Sequence, residues 1–252
     1  MRAILLCLLP LSALAQTPGY TDTPKIPGTD WCVHDSRRPH PKVVDPGPAP
    51  EKPVPAPADA KILFDGTNLD AWIGKDGKTP WQIVDGAMVI APKTGDLRTR
   101  EEFGSCELHI EWASPEKVVG DGQGRGNSGI FLMNQYELQV LDSYNNVTYA
   151  DGQAAALYGV LPPLVNACRP PGQWQTYDIK FEAPVFKDGK VEQPARITVK
   201  HNGILVQDRS EYQGASTHKK VSVYNPHPDK LPIRIQDHGN PVRFRNIWIR
   251  PL

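Results

Sequence analysis

The 252-residue sequence is poor in the features that mark membrane proteins and nucleic-acid-binding proteins. Beyond an apolar stretch at the N-terminus, no run approaches the roughly 20 apolar residues that a membrane-spanning helix needs. The 28 basic and 28 acidic residues cancel to a formal net charge of +0, so no positive charge excess favours nucleic acid or an anionic membrane. We therefore expect neutral or small-molecule partners.

Cysteine is scarce, with four in the chain. Cys7 lies in the N-terminal apolar stretch, so at most one intramolecular pair can form among Cys32, Cys106 and Cys168. A disulfide from Cys32 to either of the others would join the N-terminal region to the body of the protein. Three unpaired thiols are the alternative, and the spacing does not match a zinc site.

Residues 1–15 have the features of a secretory signal peptide. Arg2 supplies a short positive region, an apolar run extends from Ala3 to Leu14, and Ala13-Leu14-Ala15 is a small-x-small cleavage site. This pattern predicts a secreted or periplasmic protein whose mature chain is soluble.

Residues 16–59 are rich in proline, with eleven of the 26 prolines of the chain. Proline cannot donate to a strand ladder, and few apolar residues separate the prolines, so the composition predicts an extended arm or linker. Trp31 and Cys32 are its candidate anchor points. His34 and His40 have no neighbouring carboxylate pattern and are interpreted as solvated residues of the arm.

Residues 60–252, about 190 residues, are enough for one domain with a substantial core. Helical periodicity is nearly absent there, whereas about ten short alternating or apolar runs lie between Gly, Pro, Asn and Asp clusters. Asp85-Gly86, Asp188-Gly189 and Asn202-Gly203 each supply the positive φ of a type I′ hairpin turn. The fold class is therefore all-β, a sandwich or barrel built from antiparallel strands.

The best candidate chemistry lies in residues 126–142, which read as a glycine-rich turn, a strand, a short turn and a second strand. Alternation in the second strand places Glu137 and Gln139 on one face, opposite an apolar face that can pack. A β-bulge near Val140 would return Asp142 to the face of Glu137. A solvated strand, whose polar face meets only water, is the alternative.

A second strand, from Cys106 to Trp112, repeats this alternation with His109 and Glu111 on its polar face. If this strand pairs with the hairpin of residues 126–142, the two side chains lie across from Glu137. An outer strand with an exposed mixed-charge face is the alternative.

Loops add further candidate ligand contacts. Arg125 lies within a glycine-rich loop at residues 120–126, and Asn127 follows this loop. Both side chains can donate to a ligand. Tyr158 and Trp174 offer flat faces that suit stacking on a sugar ring, although loop aromatics also close the end of a core.

The C-terminal region contains two strands around a turn dense in donors. Arg234, Gln236 and His238 share one face, and Arg243 is predicted to return close to His238 across the turn. Guanidinium groups at this density call for carboxylate partners.

Seven segments, in order and between about Lys61 and Pro251, resemble the 3-keto-disaccharide hydrolase family. The resemblance implies a concanavalin A-like jelly-roll sandwich of two curved antiparallel sheets, preceded here by the proline-rich arm, and an enzyme that cleaves 3-keto-glycosides. The segments are LFDGTNLDAW at 63–72, GNSGIF at 126–131, YELQVLD at 136–142, LYG at 157–159, GQWQTYDI at 172–179, NG at 202–203 and IQDHGNPVRFRNI at 235–247.

Retaining glucanases of similar fold carry Glu-x-Asp-x-x-Glu on a bulged strand. The chain has Glu137-x-Gln139-x-x-Asp142 in its place. Retention requires two carboxyl groups about 5 to 5.5 Å apart, and Gln139 cannot supply the intervening carboxylate. This departure argues against ordinary retaining hydrolysis, which stays an alternative together with a non-catalytic carbohydrate-binding module.

A 3-keto sugar implies an easier route, in which a base removes the acidified C2 proton, the C1 substituent leaves and water adds back. The route needs a base, a donor for the enolate oxygen and an acid for the leaving group. Glu137 or His238 is the candidate base, Arg243 the enolate donor, and Asp142 or His109 the acid. A divalent cation bound by carboxylate and His is a further hypothesis. The candidate substrate contacts are Arg125, Asn127, Gln139, Tyr158, Trp174, Gln236, Glu111 and His109.

Desolvation of Glu137 on a concave sheet is expected to raise its pKa, and a neighbouring arginine to lower it again. We expect the carboxylate to be ionised near neutral pH.

Overall fold

The computed structural model describes residues 18–252, so the predicted signal peptide and Cys7 lie outside the described residues. In this part of the chain no helix is long and apolar enough to cross a membrane. Three 3-10 turns occur, at Lys75–Gly77, Gly122–Gly124 and Ala150–Gly152. The strands are β1 (Lys42–Val43), β2 (Lys61–Phe64), β3 (Trp72–Ile73), β4 (Gln82–Val84), β5 (Ala87–Val89), β6 (Leu97–Phe103), β7 (Cys106–Ala113), β8 (Ser128–Leu132), β9 (Tyr136–Val140), β10 (Val165–Asn166), β11 (Gln175–Glu182), β12 (Val185–Lys187), β13 (Lys190–Gln193), β14 (Arg196–His201), β15 (Ile204–Glu211), β16 (Leu231–Ile235) and β17 (Arg243–Pro251).

Two antiparallel sheets pack face to face as a jelly-roll sandwich, which confirms the predicted fold class. The eight-stranded sheet has the order β15-β14-β11-β7-β17-β5-β4, with β2 also paired to β17. The five-stranded sheet has the order β3-β6-β16-β8-β9. Two small pairs lie outside the sandwich, the parallel β1–β10 pair and the β12–β13 hairpin.

The core between the sheets follows from the period-two alternation of the strands. Its inward side chains on β7 and β9 are at most 1% exposed, and burial of each large apolar side chain stabilises the fold by about 1.5 to 3 kcal/mol. Since β9 commits one face to the core, its polar side chains must lie on the outer face of the five-stranded sheet. The inward side chains are Leu108, Ile110, Trp112, Tyr136, Leu138 and Val140.

The three predicted type I′ turns are confirmed, with positive φ at both central residues of each. The turn between β8 and β9 has the same left-handed backbone without glycine, since φ is 50° at Met133 and 56° at Asn134. All ten predicted strands are present in the structure. The sequence Leu-Arg-Thr-Arg-Glu-Glu-Phe of β6 lacks strand-like composition, and for that reason this strand was missed.

The predicted pairing of β7 with the central hairpin was wrong. β7 pairs with β11 and β17 in the eight-stranded sheet, where His109 lies opposite Asp178 and Trp248. In a jelly roll, strands that are close in sequence cross between the two sheets, so order along the chain did not predict adjacency. His109 and Glu111 consequently lie on the outer face of the sheet that does not carry Glu137.

No disulfide links Cys32, Cys106 and Cys168, which are all buried free thiols. Cys106 begins β7, whereas Cys168 follows β10 with its Sγ 3.9 Å from the carbonyl oxygen of Leu141. Burial raises the pKa of both of these thiols to about 12, so they are unreactive as thiolates near neutral pH. The alternative of three unpaired cysteines therefore describes the structure.

The proline-rich segment, predicted to be an extended arm or linker, lies against the body of the protein at several points. β1 pairs with β10, and the Gly47 carbonyl accepts from Arg169 Nε at 2.9 Å. Further along, Val54 donates its backbone N–H to Glu111 Oε1 at 3.0 Å and accepts from Asn246. We call residues 18–59 the belt, because they contact both faces of the sandwich.

Glu111, beneath the belt, is the centre of a buried charge cluster. Burial by itself would raise the pKa of Glu111, but interactions with His109, Asn246, the Val54 backbone and Arg245 lower it to about 2. Arg245 donates from Nε to Glu111 Oε2 at 2.6 Å. The fully buried carboxylate is thus held by a complete set of donors.

We expect Glu111→Gln to destabilise the fold by about 3 kcal/mol at pH 7, or roughly 6 to 12 °C in Tm, because it leaves Arg245 unpaired. The native pKa is below the unfolded value, so this stabilisation is present above about pH 4.5 and is lost as pH falls toward 2. Thermal melts at pH 7 and pH 3 test this, with the exposed Glu102→Gln as control. An unchanged Tm at pH 7 would contradict it.

Candidate active site

A cavity of about 380 Å³ opens on the outer face of the five-stranded sheet, within the size range of small-molecule sites. It lies beside the central hairpin, on the polar face of β9. Six of the residues predicted for the site line it, namely Asn127, Glu137, Gln139, Tyr158, Gln236 and His238.

Strand register places the centre of the cavity. Glu137 on β9 lies opposite Phe131 on β8, and Phe131 lies opposite Arg234 on β16. Paired residues share a face, so the carboxyl group, the ring and the guanidinium form a row across three strands. From the sequence, Arg234 was placed on one face with Gln236 and His238, but it was not predicted as a site residue.

Gly129 lets the Glu137 carboxyl group lie flat against β8. A β-carbon at residue 129 would overlap Glu137 Oε1 and approach the Phe131 ring to 2.9 Å. Glycine is therefore required here for close approach of side chain to backbone. Gly129 is the second residue of β8, so this glycine provides space for a side chain rather than a turn.

The Glu137 carboxyl group is almost fully desolvated, with 5% of the side chain exposed. Burial raises its pKa to about 8, the positive charge of Arg234 opposes this, and the negative charge of Asp96 adds to it. Arg234 cannot restore a low pKa because it is ion-paired with Asp96, bonded to Asn134 and stacked 3.5 Å from the Phe131 ring centroid. The expectation of an ionised carboxylate near neutral pH was wrong, since the protonated form predominates at pH 7.

Gln139 can serve either charge state of Glu137. In one orientation of its amide, Nε2 donates to Glu137 Oε1 at 3.1 Å and to the Ser128 carbonyl at 3.2 Å. In the other, Nε2 donates to Gln123 Oε1 at 3.0 Å and the amide oxygen faces Glu137. An amide therefore accepts from the protonated acid or donates to the ionised one.

The loop after β16 brings Gln236 and His238 to the cavity. Gln236 donates its backbone N–H to Gly129 at 2.9 Å, which extends the pairing of β16 with β8. Asn240 Oδ1 accepts from the backbone N–H of Asn127 at 2.8 Å, so the end of the loop is tied to the start of β8. His238 lies between these anchors and is exposed.

The opposite wall of the cavity is a chain of hydrogen-bonded rings. Tyr149 and Tyr158 contact each other through their hydroxyl groups at 3.0 Å, and the Tyr158 hydroxyl lies 2.9 Å from His218 Nδ1. Burial raises the pKa of both tyrosines. Desolvation, followed by the positive charges of His34, Lys219 and His238, lowers the pKa of His218.

Sequence reasoning missed Gln123, Tyr149 and His218 as site residues. Tyr149 and His218 lie in irregular loops where no alternation marks a face. Gln123 lies in the glycine-rich loop that was noted for its flexibility. These three residues lie near Glu137 only because of the fold, and no local sequence pattern predicts that they do.

Asp142 and Arg125 do not reach the cavity. The β8–β9 pairing is regular from Ser128↔Val140 to Leu132↔Tyr136, so no bulge turns Asp142 toward Glu137. Arg125 instead donates from Nε to Asp142 Oδ2 at 2.7 Å, and the pair lines a separate cavity of about 230 Å³. Their assignments as acid and substrate contact are therefore corrected.

Arg243 and Trp174 also lie elsewhere. The connection from β16 to β17 crosses from one sheet to the other, which carries Arg243 away from His238. Arg243 donates to the Gly172 carbonyl at 3.0 Å, and its guanidinium lies 5.1 Å from the Trp174 ring centroid. With His109 and Glu111 on the same eight-stranded sheet, these four predicted site residues lie away from the cavity.

Metal-ligating side chains do not converge in the described part of the chain. No group of three or more His, Cys, Asp or Glu residues there has a geometry that could hold a metal ion. The hypothesis of a carboxylate and histidine cation site gains no support from this arrangement.

A family model described as a 3-keto-alpha-glucoside-1,2-lyase-like domain matches residues 59–250. The chain belongs to this family. A relative from Bacteroides thetaiotaomicron, named 3-keto-disaccharide hydrolase, is 27% identical over 79% of this chain and 81% of its own length. The predicted family resemblance is thus confirmed.

Solved structures from Parabacteroides distasonis share the family fold. A crystal structure of a proposed glycosyl hydrolase is 39% identical, with a TM-score of 0.77 over 89% of this chain and 99% of its own. A second, at 23% identity and a TM-score of 0.56, covers 77% of this chain and 99% of its own and shows the fold alone.

We expect Glu137→Gln to stabilise the protein at alkaline pH. The native state holds the Glu137 proton up to about pH 8, whereas the unfolded chain releases it near pH 4.5, so wild-type stability falls between these values. The variant lacks this loss and should gain about 4 kcal/mol relative to wild type by pH 9, and almost nothing at pH 5. Thermal melts at both pH values measure the difference.

The exposed Glu102→Gln is the matched control and should follow the wild type at both pH values. If the Tm difference between Glu137→Gln and wild type is the same at pH 5 and pH 9, Glu137 has an ordinary pKa.

Proposed function

We propose that the protein is a secreted hydrolase that cleaves the glycosidic bond of 3-keto-glycosides or 3-keto-disaccharides by elimination and hydration. The observation that carries this proposal is one buried carboxyl group of raised pKa in a cavity lined by amides, histidines and tyrosines. Family membership and the name of the Bacteroides relative support the substrate class.

The carboxyl groups argue against direct hydrolysis of an ordinary glycoside. Glycosidases of that kind use two carboxyl groups that flank the scissile bond. Among the described residues that line the cavity, Glu137 is the one carboxyl group, since Asp142 is bound to Arg125 elsewhere. A route that needs a single base therefore fits the cavity better than a retaining glucanase mechanism.

In the proposed route, ionised Glu137 removes the proton from C2, which the neighbouring ketone acidifies. The C2–H electron pair forms the enolate, which then collapses to restore the ketone, form the C1=C2 bond and expel the C1 oxygen. The leaving oxygen takes a proton from the acid, and the acid regains one from the water molecule that adds to C1. C2 is reprotonated by Glu137 after the carboxyl proton has exchanged with solvent. The net change is hydrolysis into an alcohol and a free 3-keto sugar.

The raised pKa of Glu137 suits it to this task. A carboxylate with a pKa of about 8 is a stronger base than an ordinary one, and its pKa lies near the operating pH of most enzymes. Burial thus increases basicity at the expense of the ionised fraction at neutral pH. The Gln139 amide can hydrogen-bond to either charge state of Glu137. This suits a carboxyl group that gains and loses a proton in each cycle.

Donors for the other two roles line the same cavity. Arg234, which lies beyond Phe131 in the strand row of Glu137, replaces Arg243 as the cationic partner of the enolate oxygen. His238 at the exposed rim is the proposed acid for the leaving group. Tyr158 offers a ring face for the sugar.

Incubation of the mature protein with a 3-keto-disaccharide in D2O tests the substrate and the route together. We expect release of free sugar from the keto substrate, with deuterium at C2 of the 3-keto product, and no release from the unoxidised disaccharide. The 3-keto monosaccharide alone in D2O controls for spontaneous exchange. Equal release of sugar from the keto substrate and from the unoxidised disaccharide would contradict elimination, which needs the ketone, and binding without release would favour a carbohydrate-binding module.

We expect Glu137→Gln to lower turnover roughly 100-fold or more, because the amide cannot accept the C2 proton. Wild-type kcat/KM should rise with pH through about 8 and then level off, since the ionised form is the base. Steady-state kinetics from pH 5 to 9 measure both effects, with Glu102→Gln as control. A fall of kcat/KM through pH 8 would assign Glu137 as the acid instead.

The export signal in residues 1–15 makes secretion part of the proposal. N-terminal sequencing of the protein recovered from the periplasm or the medium should begin after Ala15. Recovery of the protein with Met1 from the cytoplasm alone would contradict it.

A further inference from the structure

The first part of the belt lies behind the cavity. Its His34 side chain packs against residues that line the cavity wall. His34 was predicted to be solvated, yet it has no exposed surface. Its backbone N–H donates to Asp151 Oδ2 at 2.9 Å, and its Nδ1 lies 3.2 Å from Asp151 Oδ1. His34 Nε2 is buried with no hydrogen-bond partner among the described residues.

Asp151 depends on the belt for its partners. It is fully buried in the turn Ala150–Gly152, and Arg38 approaches its carboxylate to 4.0 Å while donating to the Val160 carbonyl at 3.0 Å. An unpaired buried carboxylate destabilises a fold by several kcal/mol. The conformation of this turn is therefore stable only with His34 and Arg38 in place.

The turn is connected to Glu137 by two glutamine amides. Gln123 Nε2 donates to the Gly152 carbonyl at 2.8 Å, and Gln123 Oε1 accepts from Gln139 Nε2 at 3.0 Å. In this orientation the Gln139 amide oxygen faces Glu137 Oε1 and accepts from the protonated carboxyl group. A continuous path of hydrogen bonds and one short backbone turn thus links His34 to the buried carboxyl group.

The His34 ring also supports the aromatic wall. Its centroid lies 4.1 Å from that of Tyr149, 4.7 Å from that of Tyr158 and 5.4 Å from that of His218. These are the three residues joined by hydroxyl and imidazole hydrogen bonds along the cavity. Removal of the ring would leave a gap behind both tyrosines.

We propose that His34 is a positioning residue of the active site, which holds the 150–152 turn and the tyrosine wall and thereby keeps Glu137 shielded from water. The inference rests on the proposed function for its effect on catalysis. It places the functional unit beyond the 59–250 region of the family match, since the belt contributes to the cavity from outside that region.

Two substitutions test this role. His34→Ala removes the ring and the Nδ1 contact, whereas His34→Asn removes the ring but keeps a donor toward Asp151. Asparagine also tolerates the left-handed backbone of residue 34, where φ is 58°. The asparagine variant therefore keeps the test decisive if the alanine variant fails to fold.

The first readout is the pKa of the Glu137 carboxyl group, measured by NMR with ¹³C-labelled glutamate. Burial is the main cause of the raised value, so access of water should lower it toward the ordinary range near 4.5. We expect a clear fall in His34→Ala and a smaller fall in His34→Asn. The exposed His40→Asn is the matched control and should leave the pKa unchanged.

The second readout is the kinetics on the 3-keto-disaccharide. We expect kcat to fall about 10- to 100-fold in His34→Ala with little change in KM, with partial recovery in His34→Asn, because misplacement of the base affects the chemical step. Folded variants with a lower Tm but unchanged Glu137 pKa and kcat would overturn the proposal. If the wild type itself releases no sugar, the proposed function fails, and the NMR measurement alone decides the positioning role.

Discussion

Desolvation of a single carboxyl group is the constraint on which the site depends. Because β9 packs one face into the core, Glu137 must lie on the other, and Gly129 lets it settle against the neighbouring strand away from water. Arg234 lies in the same strand row but is bound to Asp96 and Asn134. Its positive charge therefore opposes only part of the pKa increase that burial causes in Glu137. The result is a carboxyl group that binds its proton far more tightly than one in water.

Local patterns in the sequence predicted the parts of this arrangement that local physics determines. Strand alternation identified the face of Glu137 and Gln139, and Asp-Gly and Asn-Gly pairs identified hairpin turns, because both depend only on neighbouring residues. Alternation does not indicate which sheet a strand joins. Arg243 and His109 were misplaced for this reason, since each has the expected outward direction but on the opposite sheet.

Two other misassignments have a different origin. Asp142 required a bulge that the regular β8–β9 ladder does not contain, and a bulge has no composition that distinguishes it from a strand end. His34 was assigned to solvent because it lies in the proline-rich segment and has no neighbouring carboxylate pattern in the sequence. Its partner Asp151 is more than a hundred positions away in sequence, and only the fold brings the two together.

The belt docks with few buried apolar residues, Ile26, Cys32 and Val33 among them, and its proline content explains how this can be stable. Ordering a residue of an ordinary chain costs about 1 to 2 kcal/mol of conformational entropy, which sparse contacts such as Val54 with Glu111 could not offset over such a length. Eleven prolines already restrict the undocked segment, so less freedom is lost when it settles. The proline-imposed stiffness that makes the segment resemble a spacer thus also lowers the entropy cost of holding it against the sandwich.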